Sequence, residues 1–431
     1  MFGDRALNPM VKDTLFIRLL VLMVLSIFPG LAYAGGAYIY EFSSASETGY
    51  GGAGMAARAN DAGTVFSNPA GMTRFDNTEM MAGGIGVYIE APFSTNENNV
   101  ATGKASGLNK QVVPAGSFGY IRPVSDKLKL GISAQNYWGL ALNWGDDWVG
   151  REASVNMALL APQLQPSVAY KVNDWLSVGA GAALTLGYFY DKARIPDQTG
   201  SGKEGKLTVS DTDFAVQGNL GVMLEPWEHT RIGLRYLTET ELNFKDQPSI
   251  SGIGTPSSFD PQSGLADPRD KIGLEFKMPQ AVNLGIHHQW SDDLAILGSA
   301  GWEEWSRFGY VDVSLDLGSG GIREELNAGF RDVWHGGVGI EYQWNPAWEI
   351  TAGFSYDSSM MSGGTRPIFI PLGSMYRYAV GFKHKKRDDL TLGGGFSFLW
   401  EGNLPVEDSV GVSGKYNHAS LFFLSFYASW H

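Results

Sequence analysis

Cysteine is absent from the 431 residues, which removes any disulfide framework and any thiolate metal site. Beyond the N-terminus no apolar run approaches the roughly 20 residues that a spanning helix needs. Mean hydropathy is −0.12, so the chain is not a helical membrane protein. Positive charge is scarce: 32 Lys plus Arg stand against 45 Asp plus Glu, a net charge of −13. A nucleic-acid binder would carry a basic face instead. Catalytic constellations are missing too. The seven histidines are scattered, and the adjacent pair His287 and His288 would face opposite sides of a strand and could not share a metal ion. No G-x-S-x-G nucleophile elbow occurs. The segment Gly49-Tyr50-Gly51-Gly52-Ala53-Gly54 fits G-x-G-x-x-G, but no strand precedes it and no βαβ unit surrounds it. Its small residues suit tight packing better than a dinucleotide. No enzyme, metal or cofactor is therefore expected.

Glycine and aromatic residues are abundant: 56 Gly, 13 Trp, 18 Tyr and 23 Phe, against the roughly 7% Gly of average proteins. The N-terminus reads as an export signal. Lys12 and Arg18 precede the run Leu19 to Leu25, Pro29-Gly30 breaks it, and Ala32-Tyr33-Ala34 supplies a small-x-small cleavage site. Cleavage is expected after Ala34. Residues 35–78 are rich in Gly, Ala and Ser and show no period-2 alternation. From about Met80 the pattern becomes one of strands. Trp348, Ile350, Ala352, Phe354 and Tyr356 alternate with Glu349, Thr351, Gly353 and Ser355, giving one apolar face and one polar or small face.

Two features favour a transmembrane barrel over a soluble sandwich. Aromatics sit at the ends of the apolar faces, where membrane interfaces place girdles. Connections alternate between short (Asn173-Asp174, Ser291-Asp292-Asp293, Asn345-Pro346) and long (near 90–111, 141–160, 191–210, 246–271, 313–330, 358–374 and 402–415). About fourteen antiparallel strands result, an all-β barrel with no unpaired edge in lipid. A barrel of that size encloses more space than its wall side chains fill, and the 35–78 segment is the natural plug. The expected division is a signal peptide over 1–34, a hatch over 35–78 and a barrel over 79–431, located in the outer membrane of a Gram-negative bacterium. Asn68-Pro69-Ala70-Gly71 is a turn signal within the hatch.

At this point the residues resemble a known family, the outer-membrane long-chain fatty acid transport proteins, or FadL family, which includes aromatic-hydrocarbon importers. Asp61-Ala62-Gly63 through Asn68-Pro69-Ala70-Gly71 looks like its plug signature, and Trp148-Val149-Gly150-Arg151 like its W-x-G-R. Arg231 through Thr240, Met278-Pro279-Gln280 and Trp302 through Phe308 follow in the family's order. The chain departs from it at Leu372-Gly373, Ser359-Met360 and the terminal Trp430-His431. The resemblance implies a fourteen-stranded barrel with a small helical hatch. It implies passive uptake of a hydrophobic small molecule through an internal apolar pocket, hatch rearrangement, and lateral exit into the membrane lipid at an inward kink of the third strand. Asn136, Tyr137, Trp138 and Gly139 are the candidate gate. It also implies that a basic residue inside the outer end of the fifth strand pairs with a carboxylate, with Lys192 and Arg194 as candidates and Asp191 beside them to neutralise one. No oligomer is required. Long-chain fatty acids lead as cargo; aromatic hydrocarbons or other neutral lipids are the alternative. A general porin, an outer-membrane lipid enzyme and an adhesin are weaker readings.

Overall fold

The structure is a computed structural model that describes residues 38–431, apart from 106–110, 197–202, 247–248, 252–270, 309, 318–319, 362–363, 365 and 410. The expected signal segment and cleavage site lie outside the described residues. Fourteen antiparallel staves close on themselves. They are β1 (Glu79–Glu90), β2 (Gln111–Pro123), β3 (Leu128–Gln135 with Gly139–Asn143), β4 (Asn156–Leu160 with Gln163–Lys171), β5 (Leu176–Ile195), β6 (Gly205–Trp227) and β7 (Thr230–Leu237 with Thr240–Asp246). Then come β8 (Lys271–Met278 with Ala281–Ser291), β9 (Leu294–Glu303 with Tyr310–Leu317), β10 (Gly320–Asn327 with Val333–Asn345), β11 (Trp348–Asp357), β12 (Met375–Arg387), β13 (Leu390–Ser409) and β14 (Val412–Trp430). Closure runs from Met80 opposite Trp430 to Glu90 opposite Ser420, so β1 and β14 leave no free edge.

The alternation places apolar side chains outside and polar ones inside, the inverse of a soluble protein. On β11, Ile350 and Phe354 are 40% and 38% exposed, while Thr351 and Ser355 are 2% and 0% exposed. Trp175, Trp227, Trp290, Trp344 and Trp348 are exposed beside the tight turns at one end. Tyr356, Tyr376 and Trp400 stand side by side at the other. Those two belts bound an apolar band of the kind a bilayer requires. The tight turns are as expected. Two of the long connections are not loops: 313–330 falls within the hairpin Tyr310–Leu317 with Gly320–Asn327, and 402–415 within the hairpin of β13 and β14. These staves run on past the membrane band, and Val311-Asp312-Val313-Ser314-Leu315-Asp316-Leu317 carries the period-2 alternation of a strand.

Seven staves are interrupted, β3, β4, β7 to β10 and also β1, which stops at Glu90 and rejoins β14 at Phe93–Thr95; β2, β5, β6 and β11 to β14 are not. Beyond the interruptions, Thr240–Asp246, Lys271–Met278, Tyr310–Leu317 and Gly320–Asn327 form a separate four-stranded sheet. Its edge is stitched to β6 through carboxylates. The backbone N–H of Asn243 donates to Asp213 at 2.7 Å and that of Lys245 to Asp211 at 2.6 Å.

The lumen is filled by residues 38–75, folded as short helical turns Tyr40–Phe42, Ala45–Gly49, Thr64–Ser67 and Pro69–Arg74. Irregular backbone leaves carbonyls that need donors, and the polar inner wall provides them. Thr351 Oγ1 donates to Gly49 O at 2.8 Å, Ser355 Oγ to Gly51 O at 2.7 Å, Gln165 Nε2 to Val65 O at 2.8 Å and Asn219 Nδ2 to Phe66 O at 2.7 Å. Inward-facing wall glycines let the two backbones touch. A Cβ on Gly233 would strike the carbonyl of Ala56, and one on Gly353 that of Tyr50. Much of the glycine excess is thus a groove cut for the hatch.

Candidate transport path

Three features bear on transport: a break in the ladder of the wall, a track of rings and a cleft at the outer rim. The break lies between β2 and β3. Their ladder runs from Pro123 opposite Lys129 to Phe118 opposite Ala134 and then stops. Past that point β3 turns inward: Trp138 bridges to Tyr38, and the Ile39 N–H donates to the Tyr137 carbonyl at 3.2 Å. When β3 resumes at Gly139–Asn143 it pairs with β4. Over the same height β2 pairs with β1, and Gln111 Nε2 reaches Asn143 O at 3.3 Å. The candidate residues Asn136, Tyr137 and Trp138 fall in this interruption, and Gly139 begins the strand beyond it. No proline lies in the break, but one flanks it on each side, Pro114 on β2 and Pro162 in the interruption of β4. Proline tolerates an unpaired edge because it has no N–H to lose, so these two were the sequence signal for the break.

From the outer part of the barrel a chain of rings leads to that break. Phe189 of β5 lies 5.6 Å from Phe276 of β8, which lies 5.8 Å from Phe308. Phe308 ends the helical turn Trp305–Phe308 that interrupts β9. It meets Trp138 at 5.8 Å and Trp305 at 5.3 Å. Trp305 meets Tyr38 at 5.3 Å, Tyr38 stacks on Tyr137 at 4.6 Å, and Tyr137 meets Phe66 of the hatch at 5.0 Å. These separations are ordinary packing contacts, so cargo travelling this way must part the rings. The interruptions of β3 and β9 turn Tyr137, Trp138, Trp305 and Phe308 inward.

The hatch motif ties plug to wall. Asn68 Nδ2 donates to Ala56 O at 2.7 Å within the hatch and to Val222 O of β6 at 3.1 Å, while its Oδ1 accepts from the Ala70 N–H at 3.1 Å. Pro69 opens the helical turn that Asn68 caps, the position that suits a missing N–H. Ala70 backbone packs on Gly179, and Gly71 sits against Thr64 and Ala59.

At the outer rim the structure places Lys192 and Arg194 together but pointing away from the lumen. They share the face of β5 with Leu184, and the lumen-facing set is Thr185, Phe189 and Ala193. Both pair with Asp146, Lys192 at 2.6 Å and Arg194 at 3.0 Å. The expected neutraliser, Asp191, instead accepts from Ser154 at 2.7 Å; strand alternation turns it to the opposite side. Asp146 and Arg194, with Arg151, Lys203 and Glu204, line an open cleft of about 600 Å³. Hydrogen bonding from Lys192 lowers the Asp146 carboxyl, and hydrogen bonding from Arg151 lowers that of Glu204. The cleft is thus a set of closed ion pairs. Arg151 and Trp148 of the W-x-G-R segment brace it, with Trp148 stacked on Trp144 at 5.1 Å.

Sequence reasoning passed over Arg235, which stands on the inner wall of β7 with 0% exposure. Its guanidinium lies 4.2 Å above the Phe66 ring and 5.2 Å from that of Tyr137. A charged residue at an inward position of a strand was legible from parity alone.

Comparison with known proteins agrees with this geometry. Residues 25–421 match the family described as Outer membrane protein transport protein (OMPP1/FadL/TodX). The chain is 25% identical to a long-chain fatty acid transport protein of Escherichia coli O6:H1, over 90% of this chain and 92% of that one. It is 27% identical to outer membrane protein P1 of Haemophilus influenzae, over 86% and 88%. Among solved structures, a Pseudomonas aeruginosa FadL homologue matches with a TM-score of 0.80 at 20% identity, covering 92% of this chain and 99% of that one. The Pseudomonas putida toluene transporter TodX matches with a TM-score of 0.68 at 15% identity, covering 93% and 99%. These relatives are transport proteins and not enzymes, and the chain belongs to the OMPP1/FadL/TodX family of Gram-negative outer-membrane proteins that transport hydrophobic compounds.

Proposed function

We propose that this chain imports long-chain fatty acids, passing them from the outer rim along the ring track and out sideways between β2 and β3. The observation that carries the reading is that the track from Phe189 to Trp138 ends at the interruption of β3. A tail released into an aqueous lumen would lose about 0.8 kcal/mol for each CH₂ exposed to water. A path that hands the tail from rings to lipid avoids that cost. The relative from Escherichia coli is named for the same cargo. The hatch fills the lumen below the break, so movement requires it to shift, and the turn that Asn68 ties to β6 keeps it in register as it does. The mature chain begins at Gly35 in this reading, which N-terminal sequencing of the outer-membrane form checks.

Uptake of labelled oleate by cells lacking the gene and by cells with it restored tests the cargo. Loss and recovery support it. Unchanged oleate uptake with lost toluene uptake would move the cargo to neutral aromatic hydrocarbons, which flat ring faces also suit. A large, open single-channel conductance of the purified protein would favour a general porin.

A further inference from the structure

We propose that Arg235 is an internal carboxylate-binding site, a station where the head group of a fatty acid is held at the inner end of the ring track. The inference rests on the fatty-acid reading and names the residue that would recognise the head group.

The guanidinium of Arg235 is fully buried, and it has no ion pair among the described residues. Its Nε donates to Asn219 Oδ1 at 3.3 Å, and the two terminal nitrogens have no hydrogen-bond partner. It also lies against the faces of Phe66 and Tyr137. Two ring faces offset part of the cost of burying a cation, but a buried charge without a counter-ion is costly, and its free donors add to that. The free edge is the one that matters. With Nε committed to Asn219, the two terminal nitrogens present the planar fork that grips both oxygens of a carboxylate.

The surroundings favour that ligand. The Tyr137 hydroxyl, which interacts with this guanidinium and has no hydrogen-bond partner of its own, can add a donor. The acid in the same ring cluster, Glu303, is engaged elsewhere, accepting from Trp305 Nε1 at 2.7 Å and from the Tyr40 hydroxyl at 3.1 Å. Tyr137 itself belongs to the ring track, so a head group on Arg235 lets an acyl tail lie back along Tyr38, Trp305 and Phe308. A neutral hydrocarbon gains nothing from this edge, which makes Arg235 a selector of charged over neutral cargo.

The test uses the purified, detergent-folded full-length mature protein and two probes of equal tail, oleate and oleyl alcohol, with binding read by equilibrium dialysis. Wild-type protein is expected to favour oleate. Arg235→Gln should weaken oleate at least about 10-fold, the usual scale for a charge-assisted pair, and change oleyl alcohol less than about 2-fold. Arg235→Lys should recover part of the preference, since a point charge lacks the fork. Equal oleate affinity in wild type and Arg235→Gln overturns this site and leaves the fatty-acid reading standing. Loss of the preference in a Lys192→Gln, Arg194→Gln double variant but not in Arg235→Gln also overturns it, moving the head group to the outer cleft. Should Arg235→Gln fail to fold, carboxyl-labelled oleate on the wild-type protein decides by NMR: the site predicts a head group that stays ionised well below the pH at which it titrates in detergent alone. Identical titration overturns it. Equal affinity of wild type for both probes, with normal oleate uptake in cells lacking the gene, overturns both proposals.

Discussion

The two sides of the barrel treat a buried arginine differently. On the uninterrupted side, Arg377 of β12 lies 3.0 Å from Glu41 of the hatch and 2.8 Å from Asp357 of β11. Asp357 in turn receives His335 at 2.6 Å, and Ser397 donates to Glu41 at 2.7 Å. On the interrupted side, Arg235 has two rings, one amide and, among the described residues, no acid. Continuous staves and neutralised charge make the first side a mooring for the hatch. The second combines broken staves, a ring track and an unpaired cation. In the proposed function the first side only holds and can be regular, whereas the second must also open, and its defects and unpaired groups lie together.

The largest expected effect breaks that comparison directly. Arg377→Met leaves Glu41 and Asp357 buried without their partner, a loss on the order of 3–5 kcal/mol. Arg235→Met removes an unpaired charge and should cost far less stability or none. Urea unfolding of the two variants in the same detergent checks this, and equal losses would erase the distinction between the two sides. Next comes the track. Phe308→Ala removes the ring that joins Phe276, Trp138 and Trp305. A core Phe→Ala change costs roughly 3–5 kcal/mol when the site cannot collapse, but Phe308 is only partly buried, so the loss should lie below that range. Oleate uptake should fall several-fold, with the folded barrel still recovered from the outer membrane.

The wall glycines give a sharper, smaller contrast. Gly353→Val drives a side chain into the Tyr50 carbonyl of the hatch, whereas a Cβ at Gly336 meets nothing within 4 Å. Overpacking of the first kind costs about 1–3 kcal/mol. Gly353→Val should expose the hatch to protease, and Gly336→Ala should not.

Much of the barrel was legible in the sequence because lipid imposes a strict period: every second residue from Trp348 to Tyr356 must be apolar, and the rule shows without any knowledge of partners. The break at Asn136 to Trp138 was only half legible. Its cause is a failure of pairing, which belongs to two strands at once, and its markers Pro114 and Pro162 lie on the neighbours. Lys192 and Arg194 were chosen by residue type, and parity overruled the choice: counting back from Arg194 to Leu184 places both on the outer face. Arg235 escaped notice because its significance is the absence of an acid, and acids as distant in sequence as Glu41 and Asp357 are to Arg377 cannot be paired or excluded from a linear string.

Asn68→Ala removes both donations that join the hatch to itself and to β6, so it acts on the mooring without touching a charge. Uptake should slow while the barrel still assembles, and unchanged uptake would mean the hatch is not the gate. The smallest effect belongs to the outer cleft. Lys192 and Arg194 are spent on Asp146, which is nearly half exposed, and pairs of that kind contribute between nothing and about 1 kcal/mol. The lowered Asp146 carboxyl fixes the sign of the pH dependence. Its pairing is complete above the ordinary carboxylate value of 3.8 and is lost only as pH falls through the lower folded value. The double change Lys192→Gln, Arg194→Gln should therefore alter oleate uptake about twofold or less, by the same factor at pH 5 and pH 8, and less still at high salt, where exposed charges are screened. A large defect confined to low salt would show that the cleft gathers fatty acid before the track does, and would shift the first recognition step from the lumen to the rim.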